Sequence, residues 1–190
     1  FYRLTIKHVR RVLKDVKRVY PGYNPKDGYE LAGFAWFQGW NDMVAGGTYP
    51  NRGQPGGYDA YTECMAHFIR DVRKDLKAPG MKFVIGVMGV GGPLEKYASQ
   101  RYVPIHGSFR EAMAAPASMP EFKGNVAAVR TAPFWDGRLQ RMEDNQGKVK
   151  QMAGFLKSKH KDHPNKDGSM DAKAQKAYLD KYRRELISEE

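Results

Sequence analysis

Cysteine is almost absent from this 190-residue sequence, which contains only Cys64. A single cysteine cannot form a disulfide within the chain, so a small scaffold held by internal disulfides is excluded. No reactive-thiol motif surrounds Cys64, which lies inside a helical pattern. We therefore expect it to pack as a small apolar side chain.

Long apolar runs are missing as well. No stretch approaches the ~20 consecutive apolar residues that a membrane-spanning helix requires. The sequence starts at Phe1, and nothing near it has the basic, apolar and small-residue layout of a signal peptide. We accordingly expect the chain to be part of a longer protein, with any export signal outside it.

Metal-binding patterns are a third absence. The histidines, the cysteine and the carboxylates form no cluster with the spacing of metal ligands. The glycine run at residues 89–92 is not followed by the Lys and Ser or Thr of a phosphate-binding loop. The sequence predicts neither a metal nor a cofactor.

Positive charge, in contrast, is abundant. The formal net charge is +11, and the first twenty residues carry only one acid, Asp15. The cations of that segment are Arg3, Lys7, Arg10, Arg11, Lys14, Lys17 and Arg18. They would attract a nucleic acid, but no helix-turn-helix, zinc or RNA-recognition signature accompanies them. A solvated helix face is the alternative, because apolar residues recur along the same segment at helical spacing.

Short apolar runs alternate with helical patterns along the rest of the chain. The runs at 31–37, 82–89 and 125–132 favour buried strands, whereas 58–76 and 108–115 favour helices. This alternation predicts right-handed crossovers and a parallel sheet with helices on both faces. The expected fold class is therefore α/β, a three-layer parallel sheet flanked by helices.

The last fifty residues differ in composition from the rest. From about Gln140 the sequence is charged, helix-forming and poor in large apolar residues. We therefore divide the chain into an α/β domain at 1–139 and a charged helical insertion or extension at 140–190.

The first predicted strand ends in a polar loop, Gln38 to Asp42. In open parallel sheets ligands bind beyond the carboxyl ends of the strands, so this loop is expected to line a cleft. Gly39 allows the backbone to approach a ligand and offer its N–H, and the side-chain NH₂ of Asn41 can point at the same spot. Two such donors would form an oxyanion hole. A capping role in the next turn is the alternative for Asn41 and Asp42.

Residues 39–42, Gly-Trp-Asn-Asp, match the G-x-N-D block of the SGNH (GDSL-like) hydrolases. The segment GFAWFQGWNDM resembles the W-x-Q-G-x-x-D element of the sialate O-acetylesterase-like branch, also classed with carbohydrate esterase family 6. FVIGVMGVGG, FREAMAAP and PEFKGNVAAV resemble later segments of that branch in the same order, over roughly residues 1–136. The resemblance implies a hydrolase that removes O-acetyl groups from carbohydrates, with Gly39 and Asn41 as its oxyanion donors.

The chain departs from the family pattern at the nucleophile and at the base. The resemblance implies a serine in a G-D-S or G-Q-S-N block and a D-x-x-H-like block for the other two triad members, and neither block occurs. We expect these residues to lie outside the chain, which alone would be inactive. His163, with Asp162 beside it, is the one candidate base within the chain, because its surroundings are similar to those of the family's terminal histidine. A surface loop histidine is the alternative, since the segment is strongly charged.

Further residues are expected to contact substrate at the same cleft: Gln38, Trp40, Asp42, Gly91, Gly92, His106 and Arg110. Gly91 and Gly92 close the second predicted strand, and a tight loop is their alternative role. Trp40 and His106 offer ring faces to a sugar, or serve packing alone. The family usually has an arginine at the position of Arg110, which we expect to form an ion pair that holds the loop.

The predicted function is that of a fragment of a carbohydrate O-acetylesterase, a serine ester hydrolase. A non-catalytic carbohydrate-binding or interaction module is the competing prediction, and a basic nucleic-acid-binding protein is the third. The expected partner is an acetylated carbohydrate, with no nucleic acid and no membrane. Export to the periplasm or the medium is expected only by analogy with the family.

Overall fold

The structure is a computed structural model that describes residues 1–96, 100–158, 161 and 163–188. The chain divides into two compact units, Phe1–Trp135 and Asp136–Glu190, which we call unit 1 and unit 2. Unit 1 contains all the described strands, and unit 2 is helical.

Unit 1 is built on a three-stranded sheet. Its strands are β1 (Gly33–Trp36), β2 (Lys82–Val87) and β3 (Val126–Arg130). Its α-helices are α1 (Tyr2–Lys14), α2 (Trp40–Val44), α3 (Asp59–Asp75) and α4 (Val103–Ala114). The strands lie in the order β1-β2-β3, and both neighbouring pairs are parallel. The predicted α/β fold, a parallel sheet flanked by helices, is confirmed at this level.

One face of the sheet forms the core with α3 and α4. Alternate strand residues point to this face because the side-chain period of a strand is two. Those on β2 are Phe83, Ile85 and Val87, each almost fully buried. They pack with Ile69 of α3 and Phe109 of α4, both fully buried.

The opposite face of the sheet is open. Phe37, Val84 and Val129 are 76%, 37% and 46% exposed, and Ala35 and Ala127 are exposed as well. The reason lies in the strand order. Because both crossovers advance in the same direction along the sheet, right-handed connections place α3 and α4 on one face. Among the described residues of unit 1, no second helical layer covers the other face, so the expected three layers, with helices on both faces of the sheet, are not found in this part of the chain.

Helix α1 packs on α3 rather than directly on the sheet centre. Ile6 is its one fully buried side chain and lies in a small cluster with Val72 and Met81. The ring of Tyr2 meets Phe68 edge-on at 5.7 Å, and its hydroxyl donates to Asp75 at 2.7 Å. Since the rest of α1 is largely exposed, the helix presents most of its circumference to solvent.

A buried arginine joins α3 to the starts of two strands. Arg73 Nε donates to the carbonyl of Met81 at 3.0 Å, just before β2. Its Nη2 donates to the carbonyl and the side chain of Asn125, just before β3, at 3.1 and 2.9 Å. Burial lowers the pKa of this guanidinium, and the three hydrogen bonds compensate for its loss of hydration.

Unit 2 consists of two packed helices, α5 (Gly137–Ser158) and α6 (Ala172–Ser188). Leu156 is fully buried on α5, and Leu186 is almost fully buried on α6. Asn165 fixes the connection, because its side chain donates to the Leu156 carbonyl at 2.7 Å and accepts from the Met170 amide at 2.8 Å.

Two features of the described helices bear on the sequence expectations. None of them is long and apolar enough to cross a bilayer. Cys64 lies on α3 as predicted, but it is exposed, so the expectation that it packs as an apolar side chain is wrong. It sits just outside the stripe of α3 that carries Tyr61 and Met65 into the core.

Candidate functional site

The carboxyl ends of all three strands meet at one edge of the sheet because the strands are parallel. Residues 37–39 leave β1, residues 88–93 leave β2, and Thr131 follows β3. Thr131 Oγ1 donates to the Val87 carbonyl at 2.7 Å and so holds the ends of β2 and β3 together.

Gly39 is buried between the end of β1 and helix α4. Its carbonyl accepts from the Met43 amide at 3.0 Å, which starts helix α2. A Cβ at this position would lie 2.8 Å from Cε1 of Phe109 and 3.3 Å from Sδ of Met113. Both neighbours are fully buried, so the packing of α4 itself requires a residue without a side chain at this point.

The two expected oxyanion donors are both unengaged. The Gly39 amide donates no hydrogen bond to any described residue, and neither does the Asn41 side chain. Asn41 is exposed in the first turn of α2, and no side-chain cap bond is made at that helix start. The arrangement therefore leaves the backbone donor of the buried Gly39 and the exposed carboxamide donor of Asn41, two residues apart, without a hydrogen-bond partner among the described residues.

The rest of the loop is anchored to buried tyrosines. The Tyr61 hydroxyl donates to the Gln38 carbonyl at 3.4 Å, while the Gln38 side chain is exposed. Asp42 is half-buried and its carboxylate lies close to the Tyr49 hydroxyl. Burial raises the pKa of Tyr49, and Asp42 raises it further. Asp42 thus faces inward, where it can fix the loop.

Trp40, His106 and Arg110 converge on the loop after β2. The Trp40 ring meets the His106 ring edge-on at 6.5 Å. The His106 imidazole hydrogen-bonds the Val90 carbonyl, to which Arg110 Nη2 also donates at 2.9 Å. Arg110 is only 5% exposed, so its guanidinium positions the loop through a backbone carbonyl.

The glycines after β2 form a tight loop. Gly91 and Gly92 have φ values of 83° and 79°, a left-handed conformation that glycine adopts without strain. Gly92 N–H donates to the Gly89 carbonyl at 2.8 Å, which closes the turn. Gly92 is buried against Trp135, whereas Gly91 is exposed and can face a ligand.

A pocket of about 290 Å³ opens between the ends of β2 and β3 and helix α4. Its wall includes Thr131, Arg110 and an ion pair between Arg130 and Glu111, whose Nη2 and Oε2 lie 2.9 Å apart. Gly39 and Asn41 are not among its described lining residues. Sequence reasoning missed the Arg130–Glu111 pair and Thr131, because nothing in their local pattern shows that they share a wall.

The pH dependence of stability is expected to reveal the environment of His106. Burial lowers the pKa of His106, and the nearby Arg110 lowers it further. The unfolded chain therefore binds a proton more readily, so the free energy of unfolding should fall as the pH drops below about 6.5. Urea unfolding at pH 7.5 and 5.5 measures this difference.

The variant His106→Gln should show a smaller loss of stability on acidification than the parent sequence. The matched control is His8→Gln, at an exposed position on α1. If the parent sequence and His106→Gln lose equal stability on acidification, His106 is not the group that destabilises the protein at low pH.

The candidate base falls in unit 2. His163 is half-buried and stacks on the ring of Phe155, with centroids 4.3 Å apart. Asp162 lies outside the described residues. Within the described part of the chain, no group of three or more His, Cys, Asp and Glu side chains is placed to hold a metal ion.

Comparison with known proteins adds no assignment. No protein-family model matches the chain, and no curated protein or solved structure matches it either.

Proposed function

We propose that this chain carries the oxyanion-binding part of a serine ester hydrolase of the SGNH type, with a three-layer fold when complete. The observation that carries the proposal is the pair of unengaged donors at the carboxyl edge of a parallel sheet, the Gly39 amide and the Asn41 side chain. The sequence resemblance to sialate O-acetylesterase-like proteins supplies the substrate class, an O-acetylated carbohydrate.

The reaction would proceed by acyl transfer. A serine hydroxyl from outside these 190 residues attacks the acetyl carbonyl while a histidine base takes its proton. The carbonyl oxygen becomes an oxyanion that accepts hydrogen bonds from Gly39 and Asn41. Collapse of the intermediate releases the sugar hydroxyl, which takes the proton from the histidine. Water then hydrolyses the acetyl-serine to acetate and free enzyme.

The exposed groups around this edge would contact the sugar. Trp40 is about half exposed and is braced by the ring of His106. Its free ring face suits the apolar face of a pyranose. Arg110 and Asp42 would not contact the sugar directly. Arg110 holds the loop after β2, and Asp42 faces Tyr49.

The chain alone is expected not to hydrolyse acetyl esters, because its sequence contains neither the family's nucleophile block nor its D-x-x-H-like block. The measurement is release of p-nitrophenol from p-nitrophenyl acetate and of acetate from an O-acetylated sugar. The protein encoded by the full open reading frame should release both products. The rate of release with the chain alone should equal the rate in buffer.

Two results would count against this proposal. Turnover by the chain alone that disappears in His163→Ala would place the base inside unit 2. An inert full-length protein that still binds the sugar would favour the competing function, a non-catalytic carbohydrate-binding module.

A further inference from the structure

A row of unpaired cations runs along the outer face of α1. It consists of Arg3, Lys7, Arg11 and Lys14, which we call the α1 row. These positions are three or four residues apart and therefore lie on one side of the helix over about 16 Å. All four side chains are exposed, and within the described part of the chain none of them forms an ion pair.

The charge of α1 is not neutralised by its surroundings. The helix contains no acidic residue, and its one ion pair is made by Arg10, which lies 3.6 Å from Asp75 at the side of the row. Like charges at this spacing repel one another, so the row destabilises the free protein slightly. An anionic partner would remove that repulsion.

A hollow of about 240 Å³ lies beside the row. It is lined by His8, Arg11, Val12, Arg18 and Val19. Two guanidinium groups can each bind a carboxylate with two parallel hydrogen bonds. The two valines, both exposed, offer an apolar surface next to the charge. A volume below that of a drug-sized pocket suits a single sugar ring.

We propose that the α1 row and this hollow bind a linear carboxylated polysaccharide. The site lies on α1, which packs against α3 and the chain before β2, so it is separate from the carboxyl edge of the sheet. The proposal does not depend on ester hydrolysis by the protein.

Other polyanions fit the surface less well. Single-stranded nucleic acid is bound by aromatic rings interleaved with cations, but no Phe, Tyr or Trp lies between Arg3 and Lys14. A single row of cations matches one chain of charges better than the two phosphate strands that flank a duplex groove. An anionic membrane would need a continuous free apolar helix face, but Leu4 and Val12 are the only exposed large apolar side chains of α1, and Ile6 packs on Val72 of α3.

The test is binding of the 190-residue chain to polygalacturonate by calorimetry at low salt. The variant Arg11→Gln with Arg18→Gln should bind about tenfold more weakly, since two exposed ion pairs are lost. The control, Arg141→Gln with Arg184→Gln, removes two exposed arginines of unit 2 and should bind within about twofold of the parent sequence. Thermal unfolding checks that both variants fold.

Four outcomes would overturn the proposal: no binding of polygalacturonate, an equal loss in both variants, tighter binding of duplex DNA than of polygalacturonate at equal salt, or equally tight binding of a neutral polysaccharide. Tighter binding of DNA would reassign the surface to nucleic acid. Binding of neutral dextran as tight as that of polygalacturonate would show that charge is not recognised. Loss of polysaccharide binding with unchanged ester hydrolysis in the full-length protein would separate this site from the proposed esterase site.

Discussion

Replacing Asn41 with alanine should lower kcat for acetyl-ester hydrolysis about 10²- to 10³-fold in the full-length hydrolase that the proposed function requires. The side-chain NH₂ would bind the oxygen only when charge builds up on it, so KM should change little. Because Asn41 is exposed and its side chain makes no hydrogen bond within the described residues, the protein should fold normally without it.

Steady-state kinetics on p-nitrophenyl acetate measure the Asn41 effect. Asn51→Ala is the matched control, since Asn51 is also an exposed loop asparagine of unit 1. Asn41→Asp keeps the shape but replaces the donor by a carboxylate, so it should be at least as impaired as alanine. A kcat within about threefold of the parent value would refute the oxyanion role of Asn41.

Gly89→Ala should destabilise unit 1 by about 3 kcal/mol. Gly89 is buried where the chain after β2 crosses the chain after β3. A Cβ there would collide with the backbone N of Ala132 and lie 2.6 Å from the carbonyl carbon of Thr131. Backbone atoms cannot rotate away as a side chain can, so the loops must separate and the pocket beside Thr131 must deform.

Urea unfolding gives the free energy for this comparison. Gly80→Ala is the control, because a Cβ there meets nothing within 4 Å and the backbone conformation is ordinary. It should change the free energy of unfolding by less than about 1 kcal/mol. Equal stabilities of the two variants would mean that the backbone at Gly89 does not lie against the backbone of Thr131 and Ala132.

The strands were predictable because each is a short, continuous apolar run, although only one face of the sheet is buried against helices. The predicted strands at 31–37, 82–89 and 125–132 contain β1, β2 and β3, each shorter at its ends. Helix α4 was harder, because it begins at Val103 rather than near 108. Pro104 and Gly107 made its first turns look like a loop, although proline is well tolerated at the start of a helix.

The arrangement of the site could be predicted only in part. Because Gly39 and Asn41 follow a predicted parallel strand, the sequence alone predicts that they lie at the carboxyl edge of the sheet. The convergence of Trp40, His106 and Arg110 near Val90 depends on how α4 packs, which no local pattern encodes. The inward orientation of Asp42 depends likewise on Tyr49, seven residues along the chain.

The contact between Gly39 and Phe109 limits what evolutionary comparison could reveal about this loop. A glycine would be retained there by selection for stability alone, because any larger residue would strike the ring. Retention of Gly39 among homologous sequences would therefore be uninformative about chemistry. Asn41 is under no such steric constraint. Its retention or replacement among homologous sequences would therefore distinguish an active enzyme from one that has lost its activity.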